Sequence, residues 1–301
     1  MSTTMHRIRV LSAVALLVVP AGARAQMDAS GTGTIIVAHG GGPAWDAQVL
    51  QVAKMVNTGG PVEVSFLMGP GAATARFQDA ARKLVAAGAR RIVVVPMLIS
   101  SHSGHYEQIR YLAGEVDTLN DVMMHHLHMS GIERAQVSVP IHVTKAIDSA
   151  PQAAHVIAER ARGMVSSPQG RALFIVGHGP NSAEDHAAWM SNLRTVADSV
   201  AALSGFRDVK VGLVRDDAPA PVRAEAVRAV RETIELQHAL TQQPVVVVPV
   251  LISRGSVSDV KIPADLAGLP IIYRGETLLP HAQMARWVES RVQAAVRSAA
   301  K

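Results

Sequence analysis

Three apolar runs occur twice in this chain, in the same order. Each run is rich in Val, Ile and Leu and is closed by Gly, Pro or Ser, which is typical of a strand buried in a parallel sheet. Repetition of all three runs indicates an internal duplication with two similar halves. The matched runs are Thr34–Gly40 with Ala172–Gly179, Val62–Leu67 with Val209–Val214, and Ile92–Ser100 with Val245–Ser253.

Helical segments separate these runs. Apolar residues recur at helical spacing in four segments, and a further short strand is expected late in each half. Alternating strands and helices predict an α/β fold with two similar doubly wound parallel sheets, each in a Rossmann-type three-layer arrangement. The predicted helices are 45–56, 73–87 (ending at Gly88), 221–240 and 282–299, and the late strands are 136–139 and 270–273.

The first 25 residues have the pattern of a secretory signal peptide. Arg7 and Arg9 precede the apolar run Val10–Val19, and Ala23-Arg24-Ala25 forms a small-x-small cleavage pattern. The apolar run is too short to span a bilayer. We therefore expect an exported protein, periplasmic or secreted, that begins at Gln26. The chain contains no Cys, which excludes disulfides, thiolate metal sites and a lipoprotein anchor.

The charge balance gives no reason to expect a nucleic acid partner. The chain has 29 Lys and Arg against 24 Asp and Glu, and removing Arg7, Arg9 and Arg24 with the leader leaves 26 against 24. A net charge of +2 is far from the basic character of nucleic-acid-binding domains. The low aromatic content of 3% also argues against stacking platforms for bases.

Histidines follow two of the apolar runs in the first half. His39 ends the first run and is followed by three glycines, and His102 and His105 follow the third run after a short polar turn. Since ligands of open α/β sheets bind beyond the carboxyl ends of the strands, His39 and either His102 or His105 are expected to face one crevice. Such a pair suits a metal ion or proton transfer. Glu107 is a candidate carboxylate partner or metal ligand.

Plainer interpretations of these residues remain open. His39 is compatible with an incidental residue in a glycine-rich turn, and the later two with solvent-facing capping residues. A phosphate loop is a weaker alternative, because neither Walker A nor GxGxxG spacing is met. The second half keeps His178 but has Ser253-Arg254-Gly255-Ser256 in place of the second histidine pair. Asp216 and Asp217 are interpreted as loop and capping acids.

The polar segment Ser166–Gly170 contains Pro and Gly and predicts the domain boundary. We therefore expect an N-terminal domain over residues 26–165 that bears the site. A C-terminal domain over residues 171–301 is expected to have a structural role.

Together these motifs resemble the class II chelatases, over roughly the whole of the mature chain. Gly88–Ser100 (GARRIVVVPMLIS) is similar to the cobaltochelatases, and Ser101–Leu112 (SHSGHYEQIRYL) is similar to the ferrochelatase segment around its catalytic histidine. The resemblance implies a chelatase-like fold and insertion of a divalent metal (Co²⁺ favoured; Fe²⁺, Ni²⁺ or Zn²⁺ possible) into a tetrapyrrole. Sirohydrochlorin is the expected macrocycle, in cobalamin biosynthesis. No organic cofactor is implied, and a monomer or homodimer is expected.

Carried over by position, His39 and His105 match the catalytic and metal-binding pair. His102 is an alternative to His105 as metal ligand, and Glu107 a further one. The implied tetrapyrrole contacts are Gly40, Gly41 and Ser101. One departure is clear: the usual His-Gly-Ser-Arg is His-Gly-Gly-Gly here, so a polar and a basic side chain are missing.

A second interpretation keeps the scaffold but not the catalysis. The missing side chains, the leader and the segment Met123–Met129 (MMHHLHM) favour an exported metal- or tetrapyrrole-binding protein. Met and His together suit soft ions such as Cu(I). The same segment also fits an amphipathic insertion, with Met and Leu packed inward and the histidines facing water.

Overall fold

In the computed structural model, which describes residues 31–299, eight parallel strands form two four-stranded sheets with the same strand order. The first sheet has the order β2-β1-β3-β4 and the second β6-β5-β7-β8. This confirms the predicted α/β class with two similar halves. The strands are β1 (Thr32–Ala38), β2 (Val62–Phe66), β3 (Arg91–Met97), β4 (Ile141–Val143), β5 (Ala172–Gly177), β6 (Asp208–Leu213), β7 (Val245–Pro249) and β8 (Ile271–Tyr273).

Helices connect the strands in both halves. A 3₁₀ turn at Pro70–Ala73 and a π-helical turn at Val257–Lys261 supplement them. The helices are α1 (Pro43–Ala53), α2 (Phe77–Ala86), α3 (Gly104–Leu112), α4 (Asp121–Met129), α5 (Pro151–Arg162), α6 (Ala183–Ser204), α7 (Ala220–Thr241), α8 (Ile262–Asp265) and α9 (Ala282–Ala299). Within residues 31–299, none of these helices combines the length and apolar character that a membrane crossing requires.

The central strands of the first sheet end level with each other. All seven residues of β1 are buried, and in β3 only the first is partly exposed. Their parallel register pairs Val37 with Pro96 and Ala38 with Met97. The residues that follow Ala38 and Met97 therefore emerge at the same edge of the sheet, which is where ligands of such sheets bind.

The two halves exchange helices. Helix α5 of the first half packs against α6 and β7 of the second, and α9 at the end of the chain packs back on β1, β3 and α1. Trp287 of α9 is 1% exposed in the resulting core. Two hydrogen bonds tie the exchange: Asn57 N donates to the Glu289 carboxylate at 2.8 Å, and the Arg160 guanidinium donates to the Pro280 carbonyl at 3.0 Å. One hydrophobic core therefore runs through both halves.

Alternate side chains of β5 belong to two different hydrophobic clusters. Leu173 and Ile175 belong to the shared core, while Phe174 and Val176 belong to a second cluster with Ile234 of α7. Successive side chains of a strand point to opposite faces, so a single apolar run fills both clusters.

Some predicted boundaries were wrong. Residues 136–139 are not a strand; β4 begins after Pro140, at Ile141. The helix predicted over 73–87 begins at Phe77, because residues 70–73 form the 3₁₀ turn and Arg76 is the N-cap. Helix α6 was not predicted, although its buried residues Trp189, Leu193, Val196, Ala197 and Val200 follow helical spacing. The predicted leader, residues 1–25, lies outside the described residues, and Ser166–Gly170 lies between α5 and β5.

Candidate active site

His39 is the first residue after β1, and a strained turn fixes its position. Gly40 has φ +88°, and a Cβ on it would lie 2.1 Å from the carbonyl oxygen of Met68. The Met68 amide in turn donates to the His39 carbonyl at 2.9 Å. Only Gly fits such a position, so this glycine serves the loop geometry that presents His39.

His105 lies in the first turn of α3, which starts just beyond β3. The Ser103 hydroxyl caps the helix by accepting a hydrogen bond from the Tyr106 amide at 3.2 Å. Because β1 and β3 are neighbours, the two imidazoles meet. Their ring centroids are 4.6 Å apart and their planes are at 85°.

Hydrogen bonds set the tautomers of both rings. His39 Nδ1 lies 2.6 Å from the Gly40 carbonyl oxygen, which only accepts, so Nδ1 carries the hydrogen and donates. His105 Nδ1 lies 2.8 Å from Gln108 Oε1, and Gln108 Nε2 donates to the Met123 carbonyl at 2.7 Å. The latter bond fixes the amide orientation, so His105 also donates from Nδ1. Each ring therefore keeps a lone pair on Nε2, which is available to a metal ion or a proton.

The pair faces a cavity of about 310 Å³ that both halves line. Trp189 of α6 closes one side, with its Nε1 donating to the His102 carbonyl at 2.7 Å. On another side, Gln48 of α1 exchanges two hydrogen bonds with the backbone of Arg254, of 3.2 and 3.1 Å. The polar and aromatic lining includes His39, Trp45 and His105 from the first half and His178, Trp189, Asp216 and Asp217 from the second.

Burial keeps the histidines neutral. It lowers the pKa of His39, although the Gly40 carbonyl and the charges of Asp217 and Asp46 oppose this. It lowers the pKa of His105 to about 4, with added repulsion from His39. Burial also lowers the pKa of His178 against the attraction of Asp216. At neutral pH the cavity therefore presents uncharged imidazoles, which can accept a cation or a proton.

Sequence reasoning missed the contribution of the second half. His178 Nδ1 lies 3.8 Å from Asp216 Oδ1, and Asp216 Oδ2 accepts a hydrogen bond from Lys261 at 2.8 Å. The Asp216 side chain is 2% exposed, and among the described residues its Oδ1 has no hydrogen-bond partner. Asp216 and Asp217 thus lie in a loop, as predicted, but they line the cavity and do not cap α7, whose N-cap is Pro219. The sequence did contain a signal for this contribution, since His178 occupies the position in the second half that His39 occupies in the first.

The other predicted site residues have different surroundings. The Ser101 hydroxyl donates to Asp148 at 2.8 Å and accepts from the Ala146 amide at 2.9 Å, so its hydrogen-bonding capacity serves the loop. The His102 side chain is exposed. Glu107 pairs with Arg110 at 3.2 Å instead of contacting His105.

Of the glycines, Gly40 lines the cavity, whereas the amide of Gly41 donates to Asp46 at 3.0 Å. Gly42 has open space around it, since a Cβ there would meet nothing within 4 Å. Within residues 31–299, no three or more His, Asp or Glu side chains are placed to hold a metal ion together. In this part of the chain, the His39–His105 pair therefore has no third side chain of this kind placed to join it.

Comparisons with known proteins agree with this geometry. The CbiX family model matches residues 33–164, the half that contains His39 and His105. No curated protein sequence matches the chain. Among solved structures, SirB from Bacillus subtilis with Fe³⁺ is similar with a TM-score of 0.61 and 17% identity, over 89% of this chain and 96% of that one.

Two further structures show the same fold. CbiX, titled the terminal enzyme for biosynthesis of siroheme in denitrifying bacteria, has a TM-score of 0.51 and 16% identity, over 87% of this chain and 99% of that one. DR2241 from Deinococcus radiodurans, a multi-domain protein described as similar to chelatases, has a TM-score of 0.55 and 17% identity, over 87% of this chain and 54% of that one. Residues 33–164 therefore match the CbiX family model, and the chain as a whole shares the fold of the SirB and CbiX structures.

Proposed function

We propose that this protein is a chelatase that inserts a divalent metal ion into a tetrapyrrole, with Co²⁺ and sirohydrochlorin as the favoured substrates. The observation that carries the proposal is the pair of neutral imidazoles, His39 and His105, with ring centroids 4.6 Å apart in a cavity between the halves. Imidazole nitrogen is a suitable ligand for Co²⁺, Fe²⁺, Ni²⁺ and Zn²⁺. The CbiX family match supports the class of reaction.

The open coordination of the pair suits an ion that is a substrate. Two protein ligands leave the remaining positions of the ion free for the nitrogens of the macrocycle. A closed site of four protein ligands would hold the ion too firmly to release it. His39 and His105 therefore bind the ion only until the macrocycle replaces them.

Insertion exchanges two pyrrole N–H protons for one divalent ion, so two protons must leave. Once the macrocycle has displaced His39 from the ion, we assign it the role of first proton acceptor, because Asp217 and Asp46 oppose the effect of burial on its pKa. His105 is the weaker base, with a pKa of about 4, and is assigned to the ion. His178, beside Asp216 in the same cavity, is the second acceptor. A nearby carboxylate stabilises the imidazolium that forms.

A non-catalytic role is the competing proposal. The observation that favours it is the triglycine turn: nothing occupies the space beside Gly42, so the first half offers no polar or basic side chain there. An exported protein that binds a metal or a tetrapyrrole without turnover needs no such group.

Absorbance spectroscopy separates the two proposals. The protein is mixed with sirohydrochlorin and Co²⁺, Ni²⁺ or Fe²⁺, and metal insertion is followed as a shift of the macrocycle bands. We expect turnover that is lost in His39→Ala and His105→Ala and retained in the exposed-residue control His155→Ala. Tight binding of metal without turnover would support the binding protein and reject the chelatase. Equal rates in the three variants would reject the site.

Export and assembly are part of the proposal. The pattern of residues 1–25 leads us to propose cleavage before Gln26 and location outside the cytoplasm, which N-terminal sequencing of fractionated cells tests.

Because one chain supplies both walls of the cavity, we propose that a monomer is sufficient for activity.

A further inference from the structure

Helix α4, which contains the Met- and His-rich segment, lies directly beside the candidate metal ligand His105. Gln108, which holds the His105 ring, donates to the carbonyl of Met123 in α4 at 2.7 Å. A Cβ on Gly104, the residue before His105, would lie 2.7 Å from Met123 Sδ, so the two helices are in close contact there. The segment therefore packs against α3, next to His105.

His126 of α4 continues the row of imidazoles. Its ring centroid is 6.5 Å from that of His105 and the planes are at 24°, while His105 is 4.6 Å from His39. Two imidazoles on one ion have ring centres about 5 to 6 Å apart, because each metal–nitrogen bond is about 2 Å long. Neighbouring histidines in the row are thus close enough for an ion to pass from one to the next by exchange of a ligand.

The row is not a closed site. In the described part of the chain no three such side chains converge on one ion. His126 Nδ1 is buried, and within residues 31–299 it has no hydrogen-bond partner. A buried polar atom without a partner is unfavourable unless a ligand or water satisfies it. A cation that passes along the row would satisfy this atom.

The outer face of α4 carries two more imidazoles. His125 and His128 are exposed and three residues apart, which places them side by side on the helix surface. Of the methionines, Met123 packs against Gly104 and Met129 is 74% exposed. The exposed pair His125 and His128 offers imidazole nitrogens, which suit a divalent cation such as Co²⁺, Ni²⁺ or Zn²⁺.

We propose that α4 captures the substrate cation: His125 and His128 take a divalent ion such as Co²⁺, Ni²⁺ or Zn²⁺ from solvent, and His126 passes it to His105. This proposal deepens the chelatase function and rests on it for the destination of the ion. The amphipathic packing predicted for this segment holds only in part. Leu127 is fully buried, but His126 faces the site instead of water.

The first test is the metal dependence of insertion. With tetrapyrrole saturating and free Co²⁺ varied in a metal buffer, His126→Gln should raise KM for Co²⁺ by about 10-fold or more while kcat stays within about 2-fold. The double variant His125→Ala/His128→Ala should raise KM as well. The control His155→Ala, an exposed histidine on α5, should change neither constant. Circular dichroism of each variant checks that the fold is kept.

The second test needs no insertion activity. Calorimetric titration with Co²⁺ alone should find a site that is lost in His125→Ala/His128→Ala and a separate site that is lost in His39→Ala/His105→Ala. If the protein inserts no metal but the first site is present, the chelatase proposal fails and the capture site stands. If the His125/His128 variant binds as many Co²⁺ ions as the parent, the inference is overturned. An unchanged KM for Co²⁺ in His126→Gln overturns the transfer step.

Discussion

The imidazole of His105 stands almost perpendicular to that of His39, at 85°, with 4.6 Å between the ring centroids. Two basic groups at this distance repel each other when both are protonated, and burial penalises each charge further. In both rings Nδ1 is engaged by an oxygen acceptor. The pair therefore presents two lone pairs and no positive charge to a cation at neutral pH.

The protonation of His105 is the first prediction. The pKa of His105 is about 4 in the folded protein, against 6.5 for the free side chain. In the His39→Ala variant the pKa of His105 should rise towards its ordinary value. The variant removes both the repulsion from the His39 ring and the atoms of that ring that bury His105. Titration of the ring protons by NMR measures this. A pKa of His105 near 6.5 in the parent would contradict the expectation.

The same shift predicts how stability depends on pH. Between about pH 6.5 and 4 the unfolded chain binds a proton at this histidine and the folded chain does not, so the free energy of unfolding falls as the pH falls. His39 and His178 act in the same direction, since their pKa values are also lowered. Urea unfolding at pH 7, 5 and 4 checks the sign; greater stability at pH 5 than at pH 7 would contradict it.

Gln108 is predicted to position His105. It is fully buried and joins the His105 ring to the Met123 carbonyl. In Gln108→Leu the ring loses its acceptor, and we expect Co²⁺ affinity at the His39–His105 site to fall by about 10- to 100-fold. Gln237→Leu is the matched control, a buried glutamine of α7 that donates to the Leu173 carbonyl. Calorimetry compares the two, and equal losses in both variants would indicate a general packing defect.

Much of this arrangement was predictable from local sequence. The repeated apolar runs predict the strands, and a strand that ends on His39 beside one that leads to His105 predicts their meeting, because parallel neighbours end at one edge. The short polar turn expected before His105 contains Ser103, which is the N-cap of α3. These predictions depend only on the strand pattern and on short-range hydrogen bonding.

What sequence did not reveal depends on how the halves pack. His178, Trp189 and Asp216 reach the cavity only because the two sheets present their carboxyl edges to each other. No local pattern encodes that orientation. The contact between His126 and His105 was missed for a similar reason. Helical spacing separates the faces of α4, but it does not show which face meets His105.

The glycine turn provides the fourth prediction, as a pair of variants. Gly40→Ala should lower the free energy of unfolding by about 2 kcal/mol or more, because φ is +88° and the new Cβ would meet the Met68 carbonyl. Gly42→Ala should change it by less than about 0.5 kcal/mol, because φ is −128° and no atom lies within 4 Å. Thermal and urea unfolding measure both, and equal effects would contradict the described turn.

The fifth prediction, which follows from the exchange of helices, is that the two halves unfold together. Trp287 lies near the end of the chain but packs in the core shared with the first sheet. Its replacement in Trp287→Ala should cost about 3 to 5 kcal/mol, whereas the control Val260→Ala, at a side chain that is 62% exposed, should cost less than about 0.5 kcal/mol. Because α9 completes the first half and α5 packs on the second, urea unfolding followed by tryptophan fluorescence and by circular dichroism should give one coincident transition. Two separate transitions, or a first half that folds when residues 281–301 are deleted, would show that the exchanged helices do not couple the halves.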